Sequence, residues 1–112
     1  MKTIGLIGGM SYSSTIIYYE QLNKLSNEYF GNLTTPKIIL TSVNFSLIET
    51  LQHDGNWDEL GHVLNKEAKR LEQAGADVLA LCTNTMHKVS DTMLQNISIP
   101  FFHIAESTAK QI

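Results

Sequence analysis

The chain has 112 residues, 43% hydrophobic and 17% charged, with a formal net charge of -3, which fits one domain with one modest core. Eight Lys and Arg against eleven Asp and Glu form no basic stripe, which excludes the electrostatic footprint of a nucleic-acid or acidic-membrane binder and points to a small molecule or another protein as partner. A single cysteine permits no internal disulfide, and the opening MKTIGLIGG interrupts its apolar run too early for a signal peptide, so a cytoplasmic location is expected and the sequons at Asn32, Asn44 and Asn96 carry no meaning.

Residues 3–7, TIGLI, are near-continuously apolar, the pattern of a strand buried on both faces of a parallel sheet. In the stretch that follows, GLIGGMSYSST over 5–15, Gly8 and Gly9 allow close backbone approach ahead of a helix whose first amides would point at an anion. The spacing is neither a dinucleotide fingerprint nor a P-loop. A carboxylate or phosphate cradle and a plain strand-to-helix packing turn are both open readings. Tyr18, Leu22, Leu25 and Tyr29 then share a helical face, with Gly31 at the stop. Residues 37–43, KIILTSV, give a second strand of the same doubly buried kind, and a short helix is expected over 46–51. Trp57, Leu60, Leu64, Ala68 and Leu71 line one face of a longer helix, with Asn56 and Glu59 as its capping pair and Gly75 at its stop. Residues 77–82, DVLALC, form a third strand, Met86, Val89 and Met93 share the face of another helix, and residues 100–104, PFFHI, form a fourth strand before a last helix begins. The order β-α-β-α-α-β-α-β with right-handed crossovers predicts a doubly wound α/β domain over 1–112, its four parallel strands in the flavodoxin-like order 2-1-3-4.

Ligands of such sheets bind beyond the carboxyl ends of the strands, so the glycine loop and the stretch LALCTNTMHK, residues 79–88, matter most. At the turn after the third strand, Thr83, Asn84 and Thr85 and the free amides of the next helix can converge on a carboxylate, or Asn84 or Thr85 can simply cap that helix. Cys82 is open to two readings as well: a small core residue, or the nucleophile of a thiol hydrolase or lyase with His87 and Lys88 as its base or charge partner. The four histidines, His53, His62, His87 and His103, make no pair at metal spacing beside an acid, so no metal is expected.

The segments IGLIGGMSYSSTIIYYEQLN, NFSLIETLQHDGNWDELG, LEQAGADVLALCTNTMHK and IPFFHIAESTA, in that order, resemble the first half of the aspartate/glutamate racemase family over nearly the whole chain. The resemblance implies racemisation of a small acidic amino acid, aspartate or glutamate, without pyridoxal phosphate, other cofactor or metal. Two bases on opposite faces of the α-carbon carry it, one from each of two similar halves. The family's base, usually cysteine, stands just before an Asn-Thr pair, which maps the catalytic position to Thr83 rather than Cys82. Met10, Ser11, Asn84 and Thr85 would hold the α-carboxylate, and Gln52 would reach the side-chain end. Threonine at the base position departs from the family pattern and implies asymmetric rates in the two directions, because an alcohol is a poor base beside a thiol. Tyr12 and Ser13 replace Trp and Glu of many relatives, and Asn44 replaces a common Asp. The chain thus reads as an N-terminal half whose partners are a missing C-terminal half and further copies of itself, inactive alone. The reading from another class is a non-catalytic module that binds a small carboxylate or phosphate in the same two loops.

Overall fold

The computed structural model describes residues 2–82 and 89–102. Its elements run β1 (Ile4–Gly8), α1 (Tyr12–Phe30), β2 (Ile38–Ser42), α2 (Phe45–His53), α3 (Trp57–Gln73), β3 (Val78–Leu81), α4 (Ser90–Met93) and β4 (Phe101–Phe102). Among the described residues all pairings are parallel and the sheet order is β2-β1-β3-β4, the flavodoxin-like order expected. Register aligns Ile4 with Ile38 on one side and with Val78 on the other. The last rung, Cys82 N–H to the Ile7 carbonyl at 2.9 Å, levels the end of β3 with the end of β1.

The two-residue period of the strands divides the core into two layers. Ile7, Leu79 and Leu81 face α2, α3 and α4, where Ile48, Leu60, Leu64, Ala68, Leu71, Val89 and Met93 close over them. Leu6, Ala80 and Cys82 face α1, meeting Leu22 and, at the margin, Ile4, Ile38 and Tyr18. The best specified helix is α3. Asn56 Oδ1 accepts the Glu59 N–H at 3.4 Å, Asp58 and Glu59 sit in the first turn and Arg70 in the last, so cap and charges both suit the helix dipole. Polar contacts from its flanks position the rest: the Thr41 hydroxyl donates to Glu67 at 2.6 Å, the Asn65 amide donates to the carbonyls of Met93 and Gln95, and Glu72 accepts the Ser98 N–H at 2.8 Å.

Two expectations need correction. The second strand is not buried on both faces: β2 is an edge strand whose Leu40 is 45% exposed, with Ser42 exposed beyond it. Tyr29 does not join the buried face of α1 but is 77% exposed and stacks edge-to-face on Phe30. The cause is length. A 19-residue helix runs about 28 Å, whereas the five-residue strands beneath it span about 17 Å, so the last turn of α1 overhangs the sheet. Val89 and Met93 are buried as expected, while Met86 and residues 103–112 lie outside the described residues. Among the described residues no helix is long and apolar enough to cross a membrane.

Candidate functional site

The glycine loop is built by packing. A Cβ on Gly8 would stand 2.7 Å from the Thr15 side chain, and one on Gly9 would stand 2.5 Å from the Val43 carbonyl at a backbone φ of +88°. Both positions therefore exclude other residues, and the tight-turn reading of the glycines holds. Thr15 is buried in the first turns of α1 and clasps the loop, accepting the Gly9 N–H at 2.9 Å and donating to the Ser11 carbonyl at 3.3 Å. This clasp was missed in the sequence. A threonine four residues after a serine at a helix start, directly behind two glycines, was the available signal.

The loop also presents a surface. The Met10 side chain is buried in the larger core layer with Ile7 and Ile48, leaving its backbone to the loop. Ser11 has φ 138° and ψ 104°, left-handed territory that a non-glycine residue rarely adopts, and makes no side-chain cap on α1. Ser11 thus leaves the first amides of α1 without a cap from its own side chain, as an anion would require. Beside them the end of β2 continues the ladder through Val43 N–H to the Gly8 carbonyl at 2.8 Å. Asn44 accepts the Ser46 N–H at 3.0 Å and caps α2, so asparagine does the capping work at this position. Residues 3–17 and 38–48 contain no Asp, Glu, Lys or Arg, and an incoming anion meets no carboxylate on either segment. Gln52 lies half-buried in the last turn of α2, about 12 Å along the helix axis from the Asn44 cap.

Cys82 ends the third side of this floor. Its thiol is fully buried among Leu6, Leu22 and Ala80 under α1, and burial pushes it up to about 12, so almost no thiolate exists near neutral pH. Burial, with the Cys82 thiolate as the lesser cause, also raises the Tyr18 hydroxyl. The thiol therefore packs as a core residue on the α1 side of the sheet. Thr83, Asn84 and Thr85, with His87 and Lys88, lie outside the described residues. The Cys82–Ile7 rung brings the chain to the start of that segment at the level of Gly8.

The family model for Asp/Glu/Hydantoin racemase matches residues 7–112. The chain is 28% identical over 114 aligned residues to the broad specificity amino-acid racemase RacX of Bacillus subtilis (strain 168), across 97% of this chain and 48% of that protein. Among solved structures, one from Yersinia pestis, provisionally described as an Asp/Glu racemase, superposes with a TM-score of 0.90 at 48% identity, covering 100% of this chain and 49% of its own. An aspartate racemase homologue from Pyrococcus horikoshii OT3 gives 0.84 at 36% identity, again over 100% of this chain and 49% of the other. The chain spans about half the length of these relatives.

Proposed function

The chain belongs to the Asp/Glu/Hydantoin racemase family, and from that membership we propose that it forms one half of a cofactor-independent amino-acid racemase of the aspartate/glutamate type. The observation that carries this reading is the convergence of the glycine loop, the end of β2 with the capped start of α2, and the end of β3 on one uncharged floor. Amides around Met10 and Ser11, with the side chains of Asn84 and Thr85, bind the α-carboxylate, and Gln52 meets the distal carboxylate. A base from the second half removes the α-proton, and the electron pair left on the α-carbon delocalises into the carboxylate. On the opposite face Thr83, or a water it holds, returns a proton to that carbon and recovers its own from solvent. Cys82 faces α1 and is buried in that core layer, which leaves it no part in this reading.

An alcohol ionises far above working pH, so it relays a proton more readily than it abstracts one. One direction of racemisation is therefore faster than the other. The 112-residue chain alone supplies one face and has no turnover. The test measures α-proton exchange in deuterated water from each enantiomer of aspartate and glutamate, with and without a fused second half from a full-length relative. Activity only in the fused protein, lost in Thr83→Ala and made more nearly equal in the two directions by Thr83→Cys, is the expected result. Loss of turnover in a folded Cys82→Ser protein with Thr83→Ala unaffected would move the assignment by one residue. Carboxylate binding without exchange in the fused protein would favour the non-catalytic module.

A further inference from the structure

Thr15 does more than continue a helix. Its backbone N–H reaches the Ser11 carbonyl at 3.2 Å, the ordinary first bond of α1, whereas its hydroxyl joins two points of the loop ahead of the helix, accepting from Gly9 and donating to Ser11. These two partners flank Met10, whose side chain is sunk in the core. The Gly8–Gly9 peptide is held from both ends, its N–H by Thr15 and its carbonyl by Val43. The Ser11–Tyr12 peptide is held at its carbonyl by the backbone and the hydroxyl of Thr15 together. A trans peptide turns its N–H and C=O in opposite directions, so this anchor aims the Tyr12 N–H away from the helix body, out past the N-terminus of α1.

The Ser11 backbone needs such restraint, because a non-glycine residue at φ 138° persists only where its surroundings over-determine it. We propose that Thr15 is a positioning residue of the carboxylate site: its hydroxyl sets the Gly9–Ser11 backbone in the conformation that presents the Tyr12 and Ser13 amides to the substrate's α-carboxylate, without itself touching the substrate. The inference rests on the racemase reading for the identity of that ligand. Thr15 is 7% exposed and its bond to Gly9 is buried, so water does not compete for that bond. The hydroxyl is what the role requires. Valine would fill the same space against Gly8, where the Thr15 side chain already takes the place of a Cβ, but would leave the buried Gly9 N–H facing a methyl group. Serine keeps the oxygen and gives up only the β-branch, which restricts χ1 and steadies the oxygen on both partners.

The test compares Thr15→Val with Thr15→Ser in two settings. In the 112-residue chain, amide exchange followed by NMR is expected to show Gly9 protected in the wild type and in Thr15→Ser, and exchanging at least about tenfold faster in Thr15→Val. Titration with aspartate is expected to move the Tyr12 and Ser13 amide signals of the first two, with affinity at least about tenfold weaker in the third. In the protein fused to a second half, Thr15→Val is expected to raise KM for aspartate at least about tenfold with kcat within about threefold, as when ground-state and transition-state binding fall together. Thr15→Ser stays within about threefold of the wild type on both constants, although both variants melt at lower temperature. Gly9 protection or aspartate affinity unchanged in Thr15→Val overturns the proposal, and so does Thr15→Ser as impaired in binding as Thr15→Val, the mark of a merely structural role. Thr15-dependent aspartate binding without α-proton exchange in the fused protein supports the positioning role and removes the racemase reading. Aspartate that moves no amide of the wild type overturns both.

Discussion

Cys82 and Thr83 are neighbours in sequence with opposite fates in the reading above, and the thiol has a measurable signature. Burial raises Cys82 from 9.0 to about 12, so the folded chain holds its proton longer than the unfolded chain does. The unfolded state begins to lose the proton near pH 9 and is favoured by doing so. The thiol's contribution is therefore complete below that pH and is lost as the pH climbs toward 12, by at most about 1.4 kcal/mol per unit. Urea unfolding between pH 8 and 10.5 is expected to show a steeper alkaline loss for the wild type than for Cys82→Ala; parallel slopes would contradict the burial. The Tyr18 hydroxyl, raised as well, keeps a smaller slope in both. Cys82→Ser is expected to lower stability by about 1–3 kcal/mol by placing a hydroxyl in an apolar layer, and equal stability in equilibrium denaturation would count against it. Sequence left Cys82 open between core and chemistry, since a lone cysteine at a strand end fits either. Only the helix packed over its face shows that the side chain is buried.

At the level of single elements, what local chemistry controls was legible. Asn56 with Glu59, Gly31 and Gly75 mark helix ends through caps and left-handed turns, and these depend on neighbours within four residues. Asn56→Ala is expected to cost about 1 kcal/mol, which corresponds to about 4–8 °C in melting temperature for a chain of this size, with Asn56→Asp close to wild type. An unchanged melting temperature in Asn56→Ala would show the 3.4 Å cap bond to be idle. Gly9→Ala is expected to cost more, about 2–4 kcal/mol, because the added carbon meets a backbone carbonyl and the φ is left-handed. Calorimetry on the two variants orders them. The exposure of Tyr29 was not legible, because helical spacing tells which way a side chain points and says nothing of where the sheet beneath it stops.

Handedness and the flavodoxin-like rule together took the sequence to the sheet order, the first giving each crossover its one permitted sense and the second the sequence of neighbours. The exposure of Leu40 was out of reach, because an apolar run reads the same at the centre of a sheet as at its edge, and edge position belongs to the assembled whole. Every strand pair here is parallel and non-local, so refolding from denaturant is expected on the scale of milliseconds to about a second; a dominant microsecond phase in rapid mixing or temperature jump would contradict it. The central place of β1 has a consequence during synthesis. Its partner β2 leaves the ribosome first, but the side that will meet β3 has to wait for roughly forty further residues, about 2–8 seconds at ordinary translation rates. Throughout that interval the nascent chain carries a bare strand flank at β1 as well as the one at β2, which makes this stretch of translation the period in which a holding chaperone has most to cover.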